Sequence, residues 1–519
     1  MDQLSPQDAQ FLYMESGNNL AHVTSIGIYD PTTVPRNRTV RFKDIIAHVE
    51  QRLHMSPLLK RRLVRVPLEL DYPYWVEDEY FDLEYHLRHG RLPAPGDWRQ
   101  FCIHMARYHS RPLDMQRPLW EMFVVEGLDN IKGLSPGSYA IATKIHHAAV
   151  DGASLIRFFG AMTDRDNKGT PALSLDVPAP KASPQPRLMD IARRAAFNNL
   201  RSPIAIGEAI LRAAPGALRA AETSLKPGLE DKHPVPKTRF NVRVSPQKMF
   251  DATVFELDDL KAVRPAVPGC TINDVVLAIC GGALRTYLNR HKELPADPLV
   301  AWVPINARPG GASDTDAPGN NITAMTTPIY TDVADPVARL QAIMAATRQS
   351  KAAESGLSAR LMTDLTRHIP AATQVLASRL ILQSGAASKT CNLFVSNVPG
   401  PQVPQYMNGA RLWGSFGMAP LADGMGLFIA TPSYDGKISF NVISTREIMP
   451  DIRFFIECLE EALQALKRSA APKDRPSGKG RTRKKPAVKK ASARKSAGAA
   501  KKKRKSAPGK RSTGSKKNN

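Results

Sequence analysis

The sequence predicts an α/β (α+β) protein made of two globular halves, and three observations lead there. At 519 residues the chain exceeds what one core fills, because single cores stop growing at about 250–300 residues. Strand-like apolar runs alternate with helical periodicities both before residue 165 and after residue 238, the mixture that layered α/β folds produce. Between them the composition turns Pro-rich and then Ala- and Arg-rich, as a connector does. The expected organisation is a first domain over 1–165, a linker over 166–237, a second domain over 238–468 and a tail over 469–519.

In the first half, QFLYMES, FKDIIAHVEQRLHM and WRQFCIHMARYHSRPLD carry helical spacing, and PYWVEDEYFDLEYHL alternates aromatic and acidic residues as an edge strand does. LWEMFVVEGL and SYAIATKIH read as strands separated by turn residues, and ASLIRFFGAMTD as a helix. The linker opens with PALSLDVPAPKASPQPR, an extended segment. An Ala/Arg-rich stretch broken at Pro203 and Pro215 follows. It reads either as bridging helices or as a basic amphipathic helix on a membrane surface.

The second half begins with a strand and short helix over FNVRVSPQKMFDATVFELDDLKAV, then a strong helix in PGCTINDVVLAICGGALRTYLNRH. Strands follow in LVAWVPINAR, CNLFVSNVPGP and LFIATPSYDGKISFNVIST. The last helix sets Ile452, Phe455, Leu459, Ala462 and Leu466 at spacings of 3 and 4, a core-facing stripe.

The net charge of +24 is not spread evenly. Residues 467–519 hold 22 Lys or Arg and one acid, leaving only +3 for the preceding 466 residues. With almost no large apolar side chain, the tail cannot offset chain entropy by burial and is expected to be disordered. Such a polycation suits an anionic membrane or lipid-droplet surface, or non-specific nucleic acid. The five cysteines are odd in number and form no CxxC pair, so neither a disulfide framework nor a zinc site is indicated. The acidic N-terminus is not a signal peptide, and no 18-residue apolar run suggests a membrane span. These features point to a cytoplasmic protein whose membrane contact is peripheral.

The chemistry concentrates at KIHHAAVDG, where a strand-like run ends in two histidines and an Asp-Gly pair precedes the next helix. Each residue alone has a bland explanation: a polar strand end, or a helix cap. Together, His146-His147-Ala148-Ala149-Val150-Asp151-Gly152 resembles the HHxxxDG signature of acyl-CoA-dependent acyltransferases and condensation domains. LSPQDAQFLYMES, Pro118-Leu119-Trp120, Asn273-Asp274 and VSNVPGP narrow the resemblance to the bacterial wax ester synthase/diacylglycerol acyltransferase family, its actinobacterial triacylglycerol synthases in particular.

The resemblance implies two chloramphenicol-acetyltransferase-like domains with the active site between them. It assigns His147 as proton acceptor for an alcohol that attacks an acyl-CoA thioester directly. An imidazole of ordinary pKa near 6.5 suits that role, and no G-x-S-x-G elbow argues for an acyl-serine route. Asp151 either orients a histidine or, as the resembled superfamily implies, ties the loop to an arginine. Gly152 permits a tight turn, and His146 is a neighbour whose duty the sequence leaves open. Asn273 is the oxyanion candidate, although Thr271 to Asp274 also reads as a capped helix start. Pro118, Leu119, Trp120 and Asp274 are candidates for the substrate pocket, with Leu119 and Trp120 shaping the acyl pocket or the core rather than taking part in chemistry. The implied substrates are acyl-CoA with diacylglycerol or a long-chain alcohol. Neither a cofactor nor a metal is called for.

The competing readings are a wax ester synthase, a transferase using a carrier-protein thioester, a lipid binder without turnover, and a nucleic-acid-binding protein acting through its tail.

Overall fold

The computed structural model describes residues 2–150, 158–173, 189–198, 235–306, 322–354, 371–384 and 386–471. Before the linker the chain forms β1 (His22–Asp30), β2 (Leu87–Arg91), β3 (Trp120–Glu126) and β4 (Tyr139–His146). After it come β5 (Lys248–Glu256), β6 (Val300–Asn306), β7 (Ile322–Pro328), β8 (Leu393–Pro399), β9 (Tyr406–Met407), β10 (Ala410–Met418), β11 (Phe428–Tyr434) and β12 (Lys437–Thr445). The principal helices are α1 (Pro6–Met14), α2 (Phe42–Arg52), α3 (Trp98–His109), α4 (Ile272–Arg290), α5 (Pro336–Glu354), α6 (Ala371–Ser384) and α7 (Ile452–Ala470).

Two mixed six-stranded sheets result, ordered β9-β10-β1-β4-β3-β2 and β7-β6-β8-β11-β12-β5. A small third sheet joins Asp2–Gln3, Tyr74–Glu77 and Arg61–Val64. The first sheet is not built from the first half alone, because β9 and β10 cross over from beyond residue 400. β10 pairs antiparallel with β1, Met418 opposite Thr24. The crossing is latched at Asp164, which exchanges main-chain hydrogen bonds with Tyr406 of 2.7 and 2.9 Å. Its carboxylate meets the buried Arg52 guanidinium of α2 at 2.5 Å. A second tie runs from α3 to β5, where the Trp98 indole donates to buried Asp251 at 2.8 Å. Residues up to Ala471 accordingly form one compact unit.

Local chemistry accounts for the main elements. α4 starts with a capping box in which Thr271 and Asp274 exchange side-chain and main-chain bonds. Its Gly281 lies where a Cβ would sit 2.3 Å from the Ile329 carbonyl oxygen, so only glycine lets helix and chain approach this closely. The β11–β12 hairpin turns at Asp435-Gly436, both at positive φ, as a two-residue I′ turn requires. α7 buries Ile452, Phe455, Leu459 and Leu466, the expected stripe, and packs on α4 and α5.

Candidate active site

β4 is buried along its whole length and lies between β1 and β3; apolar residues on both faces suit such a central strand. At its end, the His146 N–H donates to the Leu119 carbonyl at 3.0 Å and the His147 N–H to the Ala21 carbonyl at 2.8 Å. The residues just before β3 and β1 thus clamp the histidine pair from two sides. A single 3-10 turn, His147–Ala149, follows.

The two imidazoles have different surroundings. His146 is fully buried, and its Nδ1 accepts the Ala148 N–H at 3.0 Å. That bond leaves the ring proton on Nε2, which faces the Glu15 carboxylate at 3.5 Å. Glu15 also accepts the Ala21 N–H at 3.2 Å, so one carboxylate braces both His146 and the residue that holds His147. Burial pushes the Glu15 carboxyl up, but the His146 contact and the Ala21 N–H outweigh it and hold it below its usual range.

His147 turns toward α1, its ring stacked on Phe11 with centroids 4.0 Å apart and planes 15° from parallel. Burial pushes its pKa down to about 4, and the nearby His146 adds to the effect against a raising contact with its own main chain. At neutral pH the ring is therefore uncharged and able to take up a proton, though as a weaker base than the ordinary imidazole of pKa near 6.5 expected from the sequence.

Behind the pair, on the α3 side of the sheet, lies a bed of buried titratable groups. His22 pairs with His146 across β1 and β4, and its Nε2 donates to the His109 carbonyl at 2.7 Å. His109 Nδ1 meets the Thr24 hydroxyl at 2.8 Å. Burial drives both rings toward the neutral form, His109 to about 3 and His22 well below its ordinary value. Lys144 is wholly buried, donating to the Arg111 carbonyl at 2.9 Å and facing Glu121 at 3.4 Å. Desolvation lowers its pKa against the raising effect of Glu121.

The other expected residues fare unequally. Trp120 is fully buried, donates from Nε1 to the Leu59 carbonyl at 3.0 Å and stacks on His86, contacts that fix it in the core. Leu119 packs with Ala148, Leu12 and Ala371 in an apolar cluster beside the histidines. Pro118 is buried next to it and accepts the Trp120 N–H at 2.8 Å. Asp274 takes the capping place that the stretch Thr271 to Asp274 also suggested. One carboxylate oxygen takes the Thr271 N–H and hydroxyl and the other takes the Thr347 hydroxyl at 2.7 Å, so it caps α4 and ties it to α5. Asn273 stands partly exposed on the first turn of α4. Asp151 and Gly152 lie outside the described residues.

Glu15, Phe11, His22, His109 and Lys144 were not singled out from the sequence. Glu15 and Phe11 do belong to LSPQDAQFLYMES, and Lys144 is a lone charge inside an apolar strand.

The family model described as the wax ester synthase/diacylglycerol acyltransferase catalytic domain matches residues 4–276, and that of the family's C-terminal domain matches 318–467. This chain belongs to the wax ester synthase/diacylglycerol acyltransferase family. It is an acyltransferase, and the histidine pair lies within the matched catalytic domain. The "probable diacylglycerol O-acyltransferase tgs2" of Mycobacterium tuberculosis is 31% identical over 482 residues, covering 90% of this chain and 99% of the relative. Another diacylglycerol O-acyltransferase-named protein of that organism is 33% identical over 479 residues, with the same coverage.

Among solved structures, the wax ester synthase/diacylglycerol acyltransferase from Marinobacter aquaeolei VT8 is similar at 27% identity and a TM-score of 0.63, over 90% of this chain and 99% of that one. The first condensation domain of the calcium-dependent antibiotic synthetase, 15% identical with a TM-score of 0.52 over 90% of this chain and 96% of that one, shares the fold. The two-unit chloramphenicol-acetyltransferase-like architecture is thus established. The family models end before the basic tail, which follows Ala471.

Proposed function

We propose that this chain transfers a long-chain acyl group from coenzyme A to the free hydroxyl of diacylglycerol, forming triacylglycerol. The observation that carries the reading is His147, uncharged at neutral pH and held between Phe11 and the Ala21 carbonyl. The acceptor's O–H proton passes to the His147 imidazole as its oxygen attacks the thioester carbonyl carbon. The tetrahedral intermediate collapses with rupture of the C–S bond, and the imidazolium returns the proton to the departing CoA sulfur. No acyl-enzyme forms and no cofactor takes part, acyl-CoA being a substrate. Asn273 is assigned as donor to the oxyanion, a contribution of about 10²–10³ in kcat for such donors. His146 and Glu15 position the base rather than touch the substrate.

A long-chain alcohol is the second acceptor, since wax ester synthesis belongs to the same family. The domain limits 1–165 and 238–468, with a linker between, remain our assignment, and the crossover of β9 and β10 ties the two together.

Among the described residues no helix is long and apolar enough to cross a membrane, so we assign the protein a peripheral place on the cytoplasmic face of a membrane or on lipid inclusions. The tail after residue 471 has 20 Lys or Arg and one acid, and each basic residue near an anionic surface contributes about 1 kcal/mol. Attachment to nucleic acid is the competing role for that segment. Purified protein with labelled palmitoyl-CoA and either diolein or hexadecanol tests the reading. Labelled triacylglycerol is expected with diolein. No neutral lipid from either acceptor would overturn it.

A further inference from the structure

Five large apolar side chains lie open to solvent around the small three-stranded sheet. Leu68 is 87% exposed, Met189 70%, Leu376 60%, Phe197 52% and Leu70 51%. They come from three separate segments that the structure ties together. The helical stretch 189–198 buries Ile191 and Ala195 against Val66 and Tyr74, and Asn198 donates to Asp71 at 2.8 Å. α6 is joined to the same place by the Tyr72 hydroxyl, which donates to Gln374 at 2.6 Å. The Pro67–Glu69 turn lies beside α6 as well.

Two features separate this group from scattered surface residues. Leu68 and the adjacent Glu69 both have positive φ, 57° and 53°, a region unfavourable for a branched side chain. An Arg65–Glu69 ion pair spans this turn, which holds Leu68 outward instead of folding it into the core. In the 189–198 helix, Met189, Arg193 and Phe197 follow one another at every fourth residue on the open side, with exposed Arg194 beside them. Apolar side chains bordered by arginines are the make-up of an interfacial face, the former entering acyl chains and the latter meeting phosphates.

The patch also adjoins the catalytic end of the molecule. Leu63 and Tyr72 of the small-sheet region and Ala371 of α6 pack in one cluster with Ala148, the residue after His147. α1, which carries Phe11, touches both α6 and the His147–Ala149 turn.

We propose that Leu68, Leu70, Met189, Phe197 and Leu376, with Arg193 and Arg194, form the face on which the enzyme lies against a lipid surface. This orients the His147 end toward a phase that holds the acceptor. The proposal rests on the acyltransferase reading in one respect: a water-insoluble acceptor gives the face its purpose. The basic tail attracts the protein to anionic lipid over a distance, and this face makes the contact.

The test uses full-length protein and phosphatidylcholine–phosphatidylglycerol vesicles with and without diolein. A salt concentration of about 0.5 M shortens the Debye length to roughly 4 Å and suppresses the tail. The triple variant Leu68→Ser, Leu70→Ser, Phe197→Ser removes only exposed side chains. It is expected to partition onto vesicles about tenfold less than the parent, or weaker still. Its turnover with a short-chain soluble alcohol as acceptor stays within about twofold of the parent, as a site remote from the chemistry requires.

In a second measurement, Phe197→Trp emission shifts to the blue on vesicles, whereas that of Ile103→Trp, on α3, does not. Equal partitioning of parent and triple variant overturns the proposal. So does binding that is lost only when 472–519 is deleted, or an equal shift from both tryptophans. Loss of partitioning in a protein that shows no acyl transfer would sustain the face while removing the activity reading.

Discussion

The two six-stranded sheets share an architecture but not a chemistry. At the histidine end, the first sheet buries groups that titrate: His22, Lys144 and His146 lie on its strands and His109 on the covering helix. Apart from Asp251 of β5, held by the Trp98 indole, the second sheet buries uncharged polar groups on β12 and its neighbour β11, and they serve as staples. Ser439 donates to the Ser415 carbonyl at 2.8 Å, and Asn441 accepts the Gly417 N–H at 3.3 Å while donating to the Ala430 carbonyl at 3.0 Å. Ser415 and Gly417 belong to β10, the strand that crosses into the first sheet. One sheet thus supplies proton chemistry, and the other holds the crossing strand against it. A repeated architecture can specialise its halves, because a buried ionisable group is costly without a task or a partner.

The largest break in this division comes from His147→Ala. Removing a general base of this kind lowers kcat by about 10²–10⁴-fold, with KM for acyl-CoA little changed, as single-turnover assays on labelled palmitoyl-CoA would record. Glu15→Gln keeps the shape and the acceptor for Ala21 but removes the charge facing His146. A misplaced His147 ring should lower kcat by about 10- to 100-fold while KM stays near the parent's. A rise in KM alone would assign Glu15 to substrate binding instead. In the second sheet, Asn441→Ala leaves the Gly417 N–H and Ala430 carbonyl without their partner, costing about 1–3 kcal/mol of stability. A lowered Tm with kcat unchanged is the expected result, and a loss of kcat at unchanged Tm would undo the division.

How much of this could be read from the residues follows from how local each signal is. β3, β4, the β11–β12 hairpin, α4 and α7 are legible because their apolar runs and turn residues lie within one stretch of chain. β1 (HVTSIGIYD) and β10 (ARLWGSFGM) carry Gly and Ser among their apolar residues. They become strands by pairing with each other, a long-range fact that no local pattern carries. The histidine pair was legible as a motif, but the contacts that hold Trp120 were not, since Leu59 and His86 reach it from elsewhere in the chain. The Glu15–His146 contact is similarly invisible in the chain, because α1 and the end of β4 lie far apart in sequence and meet only in the fold.

The central claim is that His147 is an uncharged base at the buried end of the first sheet, and the pH dependence of kcat/KM tests it most directly. A depressed imidazole pKa keeps the base competent as pH falls from 8 to 5, with the acid limb centred near the folded value of about 4. Stability moves the other way. Histidines buried as the neutral form, such as His109 at about 3 and His48 at about 4, bind fewer protons folded than unfolded below pH 6.5. The fold then weakens as pH drops through that window, by up to ~1.4 kcal/mol per unit for each group. Rates are therefore read within seconds of a pH jump. A flat profile to pH 5 that His147→Ala abolishes is the predicted result. An acid limb near 6.5 in the parent, or one that persists in His147→Ala, would contradict the account.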